Sequence, residues 1–226
     1  MNWISLLFII LYLGSHAHAQ DTQILEVPTG NNIMHLIPEK ERYQYDRFLS
    51  GTVYFVSGIS TSAAMNLNLL NQEIQFINPV GDTLSIARRE ALDRVEIGKQ
   101  LFYYRPTIGY LEILADFPAL KLAVHQFIEV TQEGTNNPIL ADPVSKKQNT
   151  QPVAAKRIRT LILTEKKEYF IMDKNKSFHP ARRTTFYKIF PDYKTSIRNY
   201  LQEHHIRFEQ EEDLTQFLKY CSRLGR

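Results

Sequence analysis

Short apolar runs that alternate with polar residues dominate the middle of this chain. Met65, Leu67 and Leu69 alternate with Asn66 and Asn68, which is the two-residue period of a strand with one buried face. The same period recurs in further runs, at residues 53–56, 73–78, 83–86, 94–97, 101–104, 110–114 and 120–128. The pattern therefore predicts a fold that is mainly β.

The connections between these runs are short and contain turn-forming residues. Segments 78–82 and 98–99 supply Asn, Pro and Gly, which favour hairpin turns. Such connections are too short for crossover helices, so neighbouring strands should pair antiparallel. A sheet of about eight strands must curl to cover its apolar face. We expect an antiparallel meander over residues 43–172 that forms a β-sandwich or a half-open barrel.

Residues 131–157 interrupt this pattern. They contain Pro138, Pro143 and Pro152 and show no sustained periodicity, which predicts a mobile loop. Two more strands are expected after it, at residues 158–164 and 168–172, joined by a turn at residues 165–167. Residues 20–42 are interpreted as an N-terminal extension.

The last part of the chain, residues 173–226, changes to a helical period and predicts a basic helical tail. Two apolar faces have helical spacing, and they consist of Tyr193, Ile197, Tyr200 and Leu201, and of Leu214, Phe217, Leu218 and Cys221. Residues 156–226 carry 16 basic and 9 acidic side chains, whereas residues 20–155 carry 11 and 15. We expect the tail to pack on the sheet or to cover one open end of it.

The N-terminus predicts export. An apolar run from Met1 to Leu13 precedes Ala17-His18-Ala19, the pattern of a signal peptide over residues 1–19. A dozen or so apolar residues are too few to span a bilayer, which takes about twenty. The mature form should have no transmembrane segment and should be periplasmic or associated with the outer envelope. One cysteine allows no intramolecular disulfide, so an ordinary apolar core is expected.

The sequence contains no familiar catalytic, metal-binding or phosphate-binding motif. Gly58-Ile59-Ser60-Thr61-Ser62 misses the G-x-S-x-G elbow at its last position. We therefore predict no catalytic residue, no metal site and no cofactor. One enzyme hypothesis stays open, a carboxylate-dependent hydrolase acting on envelope glycans. Its candidate carboxylates are Glu73, Asp82, Glu96 and Glu112.

Two groups of residues are candidates for binding. An aromatic cluster could form a ligand surface for apolar molecules or sugars, although core packing is the alternative; it consists of Phe102, Tyr103, Tyr104 and Tyr110. Basic residues of the tail could contact an anionic surface, although a solvated surface is the alternative; they are Arg182, Arg183, Lys188, Lys194 and Arg198. Nucleic acid is not an expected partner of an exported protein.

Four motifs also carry a resemblance. They are Phe48-x-x-Gly51-x-Val53-x-Phe55, Asn66-x-Asn68-Leu69-Leu70, Glu73-Ile74-x-Phe76-Ile77 and Gly81-Asp82-Thr83-Leu84. In this order, and with its helical tail, the chain resembles a group of exported β-rich proteins of Bacteroidota that have no assigned activity. The likeness covers most of the chain from Phe48 and implies an envelope location, but supplies no ligand or catalytic residue. We expect an exported, non-catalytic binding or interaction module. Its partner would be an envelope protein, an apolar ligand or an anionic surface.

Overall fold

The computed structural model describes residues 22–28, 37–136 and 158–224. Its strands are β1 (Thr22–Pro28), β2 (Leu49–Phe55), β3 (Ser60–Asn68), β4 (Glu73–Ile77), β5 (Thr83–Ser85), β6 (Leu92–Ile97), β7 (Gln100–Arg105), β8 (Gly109–Asp116), β9 (Lys121–Asn136), β10 (Ile158–Met172) and β11 (Phe178–Pro180). Its helices are α1 (Glu39–Arg42), α2 (Arg183–Ile189), α3 (Lys194–Glu203) and α4 (Glu211–Cys221), with 3-10 turns at Arg89–Ala91 and Pro191–Tyr193. The predicted class, mainly β with a helical C-terminal tail, is confirmed.

All of these strands belong to one antiparallel sheet. Its order is β1-β10-β9-β8-β7-β6-β2-β3-β4-β5, and β11 pairs with the end of β10 that β1 leaves free. The predicted turn at Gly98-Lys99 joins β6 to β7, and Gly98 has a φ of 60°, a left-handed value that favours glycine. Two steps depart from a simple meander, because β6 pairs with β2 and not with β5, and β1 pairs with β10 and not with β2. The sheet therefore consists of two meanders joined through the β2–β6 pair.

The sheet is open and curls back on itself. The backbone N–H of Ile128 in β9 donates to the carbonyl oxygen of Leu69, just after β3, at 2.9 Å. The side-chain amide of Gln72 donates to the carbonyl oxygen of Gln126, also at 2.9 Å. These contacts join two regions that have β8, β7, β6 and β2 between them in the sheet. The resulting shape is a half-open barrel.

The inner face of this barrel carries the first of two main apolar cores. Val53, Val95 and Phe102 are cross-strand partners in one row, and each is almost fully buried. Because strand side chains alternate between faces, every second residue of these strands enters the core. The barrel core consists of Val53, Met65, Leu67, Leu69, Ile74, Leu92, Val95, Ile97, Phe102 and Tyr110.

Strands β9 and β10 are longer than the sequence predicted. Residues 131–136, assigned to the mobile loop, continue β9, and their partners lie in β10. The turn predicted at residues 165–167 is also wrong, since β10 runs unbroken from Ile158 to Met172. Its charged middle has cross-strand partners, as in the pair of Lys166 with Glu129 at 3.6 Å, so polarity does not mark a turn here. Residues 137–157 lie outside the described residues.

The N-terminal extension, residues 20–42, contains more structure than predicted. Thr22–Pro28 forms β1 at the edge of the sheet, and Glu39–Arg42 forms α1. The signal-peptide prediction for residues 1–19 lies outside the described residues.

The tail packs on the sheet and forms the second main core. Leu120, Leu122 and Ile171 supply the sheet side of this core. Its buried helical members are Phe186, Ile197, Leu201, Leu214, Phe217, Leu218 and Cys221. The helical spacings read from the sequence therefore identify the buried faces of α3 and α4.

Candidate ligand-binding cavity

Unequal strand lengths leave a notch at one end of the sheet. β3 begins at Ser60, but its pairing with β4 stops at Ala64, whose partner is Ile77. Within the described ranges, residues 60–63 pair with β2 alone. The chain leaves the ladder after Ile77 because Pro79, two residues on, has no N–H to donate. The notch therefore exposes an edge of β3 beside the inner face.

A cavity of about 550 Å³ occupies this notch. Side chains of β2, β3 and β4 form its walls, and the segment that follows β5 encloses another side. The lining residues are Val53, Phe55, Thr61, Ser62, Ala63, Met65, Phe76, Ile77, Asn78, Pro79, Ser85, Ile86 and Ala87. No charged side chain is among them. The cavity thus presents apolar surface with a few hydroxyl and amide groups.

Two of the polar lining residues hold the β4–β5 hairpin. The Oδ1 atom of Asn78 accepts from the backbone N–H groups of Val80 at 3.0 Å and Asp82 at 2.8 Å. The hydroxyl of Ser85 donates to the carboxylate of Glu73 at 2.6 Å. Side-chain acceptors of this kind are typical of tight turns. Hydrogen bonds within the hairpin thus fix the side of the cavity that β4 and β5 form.

Three exposed aliphatic side chains lie on the loops that adjoin the strands of the cavity. Val56 and Ile59 in the β2–β3 loop are 71% and 65% exposed, and Val80 in the β4–β5 loop is 80% exposed. None of these three residues lines the cavity. Val56 and Ile59 instead line a separate depression with Tyr54, Asp93 and Arg94.

The four aromatic residues predicted as a ligand surface do not share one surface. Phe102 and Tyr110 are buried in the barrel core, and Tyr104 packs on Tyr110 with ring centroids 5.1 Å apart. Tyr103 lies on the opposite face beside Phe178, with centroids 5.9 Å apart. Adjacent strand residues point to opposite faces, so alternation separates Tyr103 from its neighbours. The described residues that line the cavity include none of the four.

The basic residues predicted to contact an anionic surface are all exposed on or next to α2 and α3. They are Arg182, Arg183, Lys188, Lys194 and Arg198. In the part of the chain that the structure describes, none of them forms an ion pair. They lie on the tail, whereas the cavity lies among β2 to β5.

Among the candidate carboxylates, Glu112 is buried inside the barrel. One of its oxygens accepts from the side-chain amide of Gln44 at 2.6 Å, and the other accepts from Gln100. Burial, together with the negative charge of Glu112, raises the pKa of Tyr45. A buried carboxylate needs hydrogen-bond donors, and the two glutamines supply them. Segment 42–45 is also held by backbone hydrogen bonds to Leu67 and Leu69.

The other three carboxylates have separate partners. Glu96 accepts from the hydroxyl of Tyr54 at 3.2 Å, on the outer face. Glu73 is held by Ser85, and Asp82 accepts from the side chain of Asn78 at 3.2 Å. A glycosidase places two carboxylates across one cleft, about 5–10 Å apart. Each of the four candidate carboxylates instead has its own hydrogen-bond partner, and none of them lines the cavity.

The single cysteine does not line the cavity. Cys221 is buried in the tail core, and burial raises its pKa to about 12. A thiol that stays protonated is a poor nucleophile. Within residues 22–28, 37–136 and 158–224, no group of three or more His, Cys, Asp or Glu side chains is placed to hold a metal ion. The helices of these ranges are also too short or too polar to cross a membrane.

Comparison with models of protein families, with curated proteins and with solved structures finds no match for this chain.

Proposed function

We propose that this protein is an exported, non-catalytic binding module that holds an apolar ligand in the cavity between β2, β3, β4 and β5. The cavity itself carries the proposal. Its volume of about 550 Å³ lies within the range of about 300–1,000 Å³ that is typical of small-molecule sites. The signal-peptide pattern at residues 1–19 supports export.

The lining determines the chemistry of the ligand. Val53, Met65 and Phe76 supply apolar wall, and no charged group opposes the transfer of an apolar molecule from water. Burial of apolar surface favours binding by about 25 cal/mol per Å² before the cost of association. Thr61 is an exposed lining residue that pairs with Val53 across β2 and β3, so its hydroxyl can hydrogen-bond a polar end of the ligand. The hydroxyl of Ser62 lies on the opposite face, 3.0 Å from that of Thr52.

A fluorescence titration tests this proposal. The probe is a fatty acid that carries a dansyl group, and the protein is produced from the full chain. Ala63→Phe places a ring in the cavity, and we expect at least about a tenfold loss of affinity. Ala64→Phe is the matched control, because the adjacent residue of β3 points to the other face. Its affinity should stay within about twofold of the wild type.

A second cavity variant keeps the proposal testable if Ala63→Phe does not fold. Ala87→Phe adds a ring at an exposed lining position, where the barrel core is not disturbed. Thermal unfolding should show a folded protein, and the titration should again show weakened binding. Equal affinity for the wild type, Ala63→Phe and Ala87→Phe would reject the cavity as the binding site.

The basic tail supports a second candidate contact, with an anionic surface. All five basic residues named above are exposed and unpaired in the described ranges. Reversal of charge at Arg182, Lys188 and Arg198 should remove binding to phosphatidylglycerol vesicles at low salt, because such attraction is screened by salt. Unchanged binding would reject this contact.

Export has its own test. The mass of the exported chain should correspond to a protein that begins at Gln20, as the cleavage pattern predicts. An exported chain that still carries Met1 would contradict it.

A further inference from the structure

We propose that the notch beside β3 takes up an extended, uncharged peptide segment of a partner protein, which adds to the sheet as a further strand and places an apolar side chain in the cavity. This inference rests on the proposed function, because it names the class of ligand for the same cavity. Two observations carry it: an unpaired edge of β3, and the apolar cavity next to that edge.

The hydrogen bonds of β2 show which backbone groups of β3 are free. The backbone N–H of Phe55 donates to the carbonyl oxygen of Ile59 at 2.9 Å, whereas that of Val56 donates to Ala91, on the β6 side, at 3.0 Å. Successive residues of an antiparallel ladder direct their backbone groups to opposite sides in this way. The odd-numbered residues of β3 therefore bond to β2. The even-numbered residues direct their N–H and C=O groups away from β2.

Two of these even-numbered residues, Ser60 and Ser62, have no strand on that side. Pairing with β4 stops at Ala64, whose partner is Ile77. Continuation of this register would place Pro79 opposite Ser62, and proline has no N–H to donate. In the part of the chain that the structure describes, no other backbone group takes up the two N–H and two C=O groups of Ser60 and Ser62. Both residues are exposed.

The cavity lies directly beside this free edge. Ser62 lines the cavity although its hydroxyl lies on the opposite face, 3.0 Å from that of Thr52, so its backbone borders the cavity. Asn78 and Pro79 line another side, which means that the chain after β4 borders the space beside β3 without filling it. The free hydrogen-bonding groups and the apolar space therefore belong to one site.

The free edge favours a peptide over a lipid. A hydrocarbon chain that filled the notch would shield the backbone groups from water without replacing their hydrogen bonds, which is unfavourable. An extended peptide pairs with them, because its own N–H and C=O groups recur at the spacing of a strand. Addition of a strand to an unpaired edge is a common mode of peptide recognition, in which side-chain pockets supply the specificity.

The register defines which peptide side chain enters the cavity. Peptide residues opposite Ser60 and Ser62 exchange backbone hydrogen bonds with them, and the residue between them lies opposite Thr61. It points to the same face as Thr61, which lines the cavity. We call this peptide residue the anchor. The described lining residues include no charged side chain, so the anchor must be apolar and uncharged.

Fluorescence anisotropy with synthetic peptides tests the choice of anchor. Each probe is a fluorescein-labelled peptide in which threonine flanks the anchor and valine occupies the next positions, and the anchor is Leu, Phe or Asp. We expect the protein produced from the full chain to bind the Leu and Phe peptides. The Asp peptide should bind at least about tenfold more weakly, because the cavity offers no partner for its charge.

Methylation of the peptide backbone tests the added strand on the wild-type protein. N-methylation of the two residues next to the anchor removes the N–H groups that would donate to Ser60 and Ser62. It should weaken binding of the Leu peptide by at least about tenfold. N-methylation of the anchor is the matched control, because its N–H points away from β3. The affinity of this peptide should stay within about twofold of the parent.

A variant of the edge tests the same contact from the side of the protein. Ser62→Pro removes an N–H that the fold does not use and places a ring in the notch, a position where an edge strand tolerates proline. It should weaken binding of the Leu peptide by at least about fivefold. Ser62→Ala is the matched control, because it keeps the N–H, and it should bind like the wild type. If Ser62→Pro is unfolded by circular dichroism, the methylated peptides decide alone.

Three results would overturn the proposal. They are equal affinity for the Leu peptide and its doubly N-methylated form, failure of the Leu and Phe peptides to bind a protein that binds the dansyl fatty acid, and a wild-type dimer that Ser62→Pro dissociates in sedimentation. The last result would assign the edge to a second copy of this chain. Each of them leaves the cavity standing as a site for an apolar ligand. Wild-type affinity of Ala63→Phe for both the fatty acid and the Leu peptide would instead reject the cavity itself.

Discussion

The two main apolar cores of this protein differ in how they end. The tail core is closed by aromatic rings, with Phe186 and Phe217 centroids 4.6 Å apart and Tyr200 and Tyr220 centroids 4.0 Å apart. The barrel core ends in a cavity of about 550 Å³ because β3 is longer than its partner β4. Packed aromatic rings add stability beyond their buried area, whereas an open apolar cavity gives up packing contacts. We infer that the tail core stabilises the fold and that the open end of the barrel binds.

Thiol accessibility should show the largest contrast between the two regions. Cys221 is buried with its pKa raised to about 12, so Ellman's reagent at pH 8 should label it about a thousandfold more slowly than an ordinary thiol. Ala63→Cys in a Cys221→Ala background places the thiol in the open cavity and should label readily. Comparable slow rates at both positions would mean that the cavity is closed.

Truncation of a ring in the tail core should cost the most stability. Phe217 is fully buried and contacts the rings of Phe186, Tyr200 and Phe208. Phe217→Ala should lower the free energy of unfolding by about 3–5 kcal/mol, measured by urea denaturation. Probe affinity of the folded fraction should be unchanged. A loss below about 1 kcal/mol would show that the tail is loosely packed.

Close packing inside the barrel should also be detectable, with a smaller effect. A Cβ atom at Gly51 would lie 2.7 Å from the carbonyl oxygen of Glu96 and 3.0 Å from the sulfur of Met65. Gly51→Ala should therefore destabilise the protein by about 1–3 kcal/mol. Ser50→Ala at the exposed neighbouring position is the control, with a change within about 0.5 kcal/mol. Equal stability of both variants would refute the close approach.

The smallest effect is expected at an ion pair between the two regions. Lys176 in the β10–β11 turn donates to Asp93 in β6 at 3.0 Å, and this hydrogen bond is the main reason that the pKa of Asp93 is lowered. Because the pKa of Asp93 is lower in the folded protein, its ionised carboxylate stabilises the fold at pH values above its ordinary pKa of 3.8. This stabilisation is lost as the pH falls through the lowered pKa. Lys176→Met should cost under about 1 kcal/mol at pH 7.

The pH dependence distinguishes this pair from a general charge effect. The difference in unfolding free energy between the wild type and Lys176→Met should shrink below pH 3.8. Lys174→Met, in the same turn, removes an exposed lysine. It should leave the free energy of unfolding unchanged both at pH 7 and below pH 3.8. A difference that persists in acid would assign the effect to packing of the lysine stem.

Local sequence patterns predicted most strands and helices, but not which strands pair with each other. Alternation identified β2 to β9, and helical spacing identified the buried positions Ile197, Leu201, Leu214 and Phe217. The pairing of β6 with β2 and the edge position of β1 depend on contacts distant in sequence, which no local period encodes. The cavity depends on where β4 stops against β3, a property of register. The predicted aromatic ligand surface could have been divided from the sequence alone. Tyr103 and Tyr104 are adjacent on a strand, so their side chains must point to opposite faces.

The central claim is that an apolar ligand occupies the open end of the barrel. Native mass spectrometry of protein produced from the full chain and purified without detergent tests it most directly. We predict an excess mass, released on denaturation, in the wild type and in Ala64→Phe, and its loss in Ala63→Phe. A bare mass for the wild type, or the same excess mass in Ala63→Phe, would contradict the account.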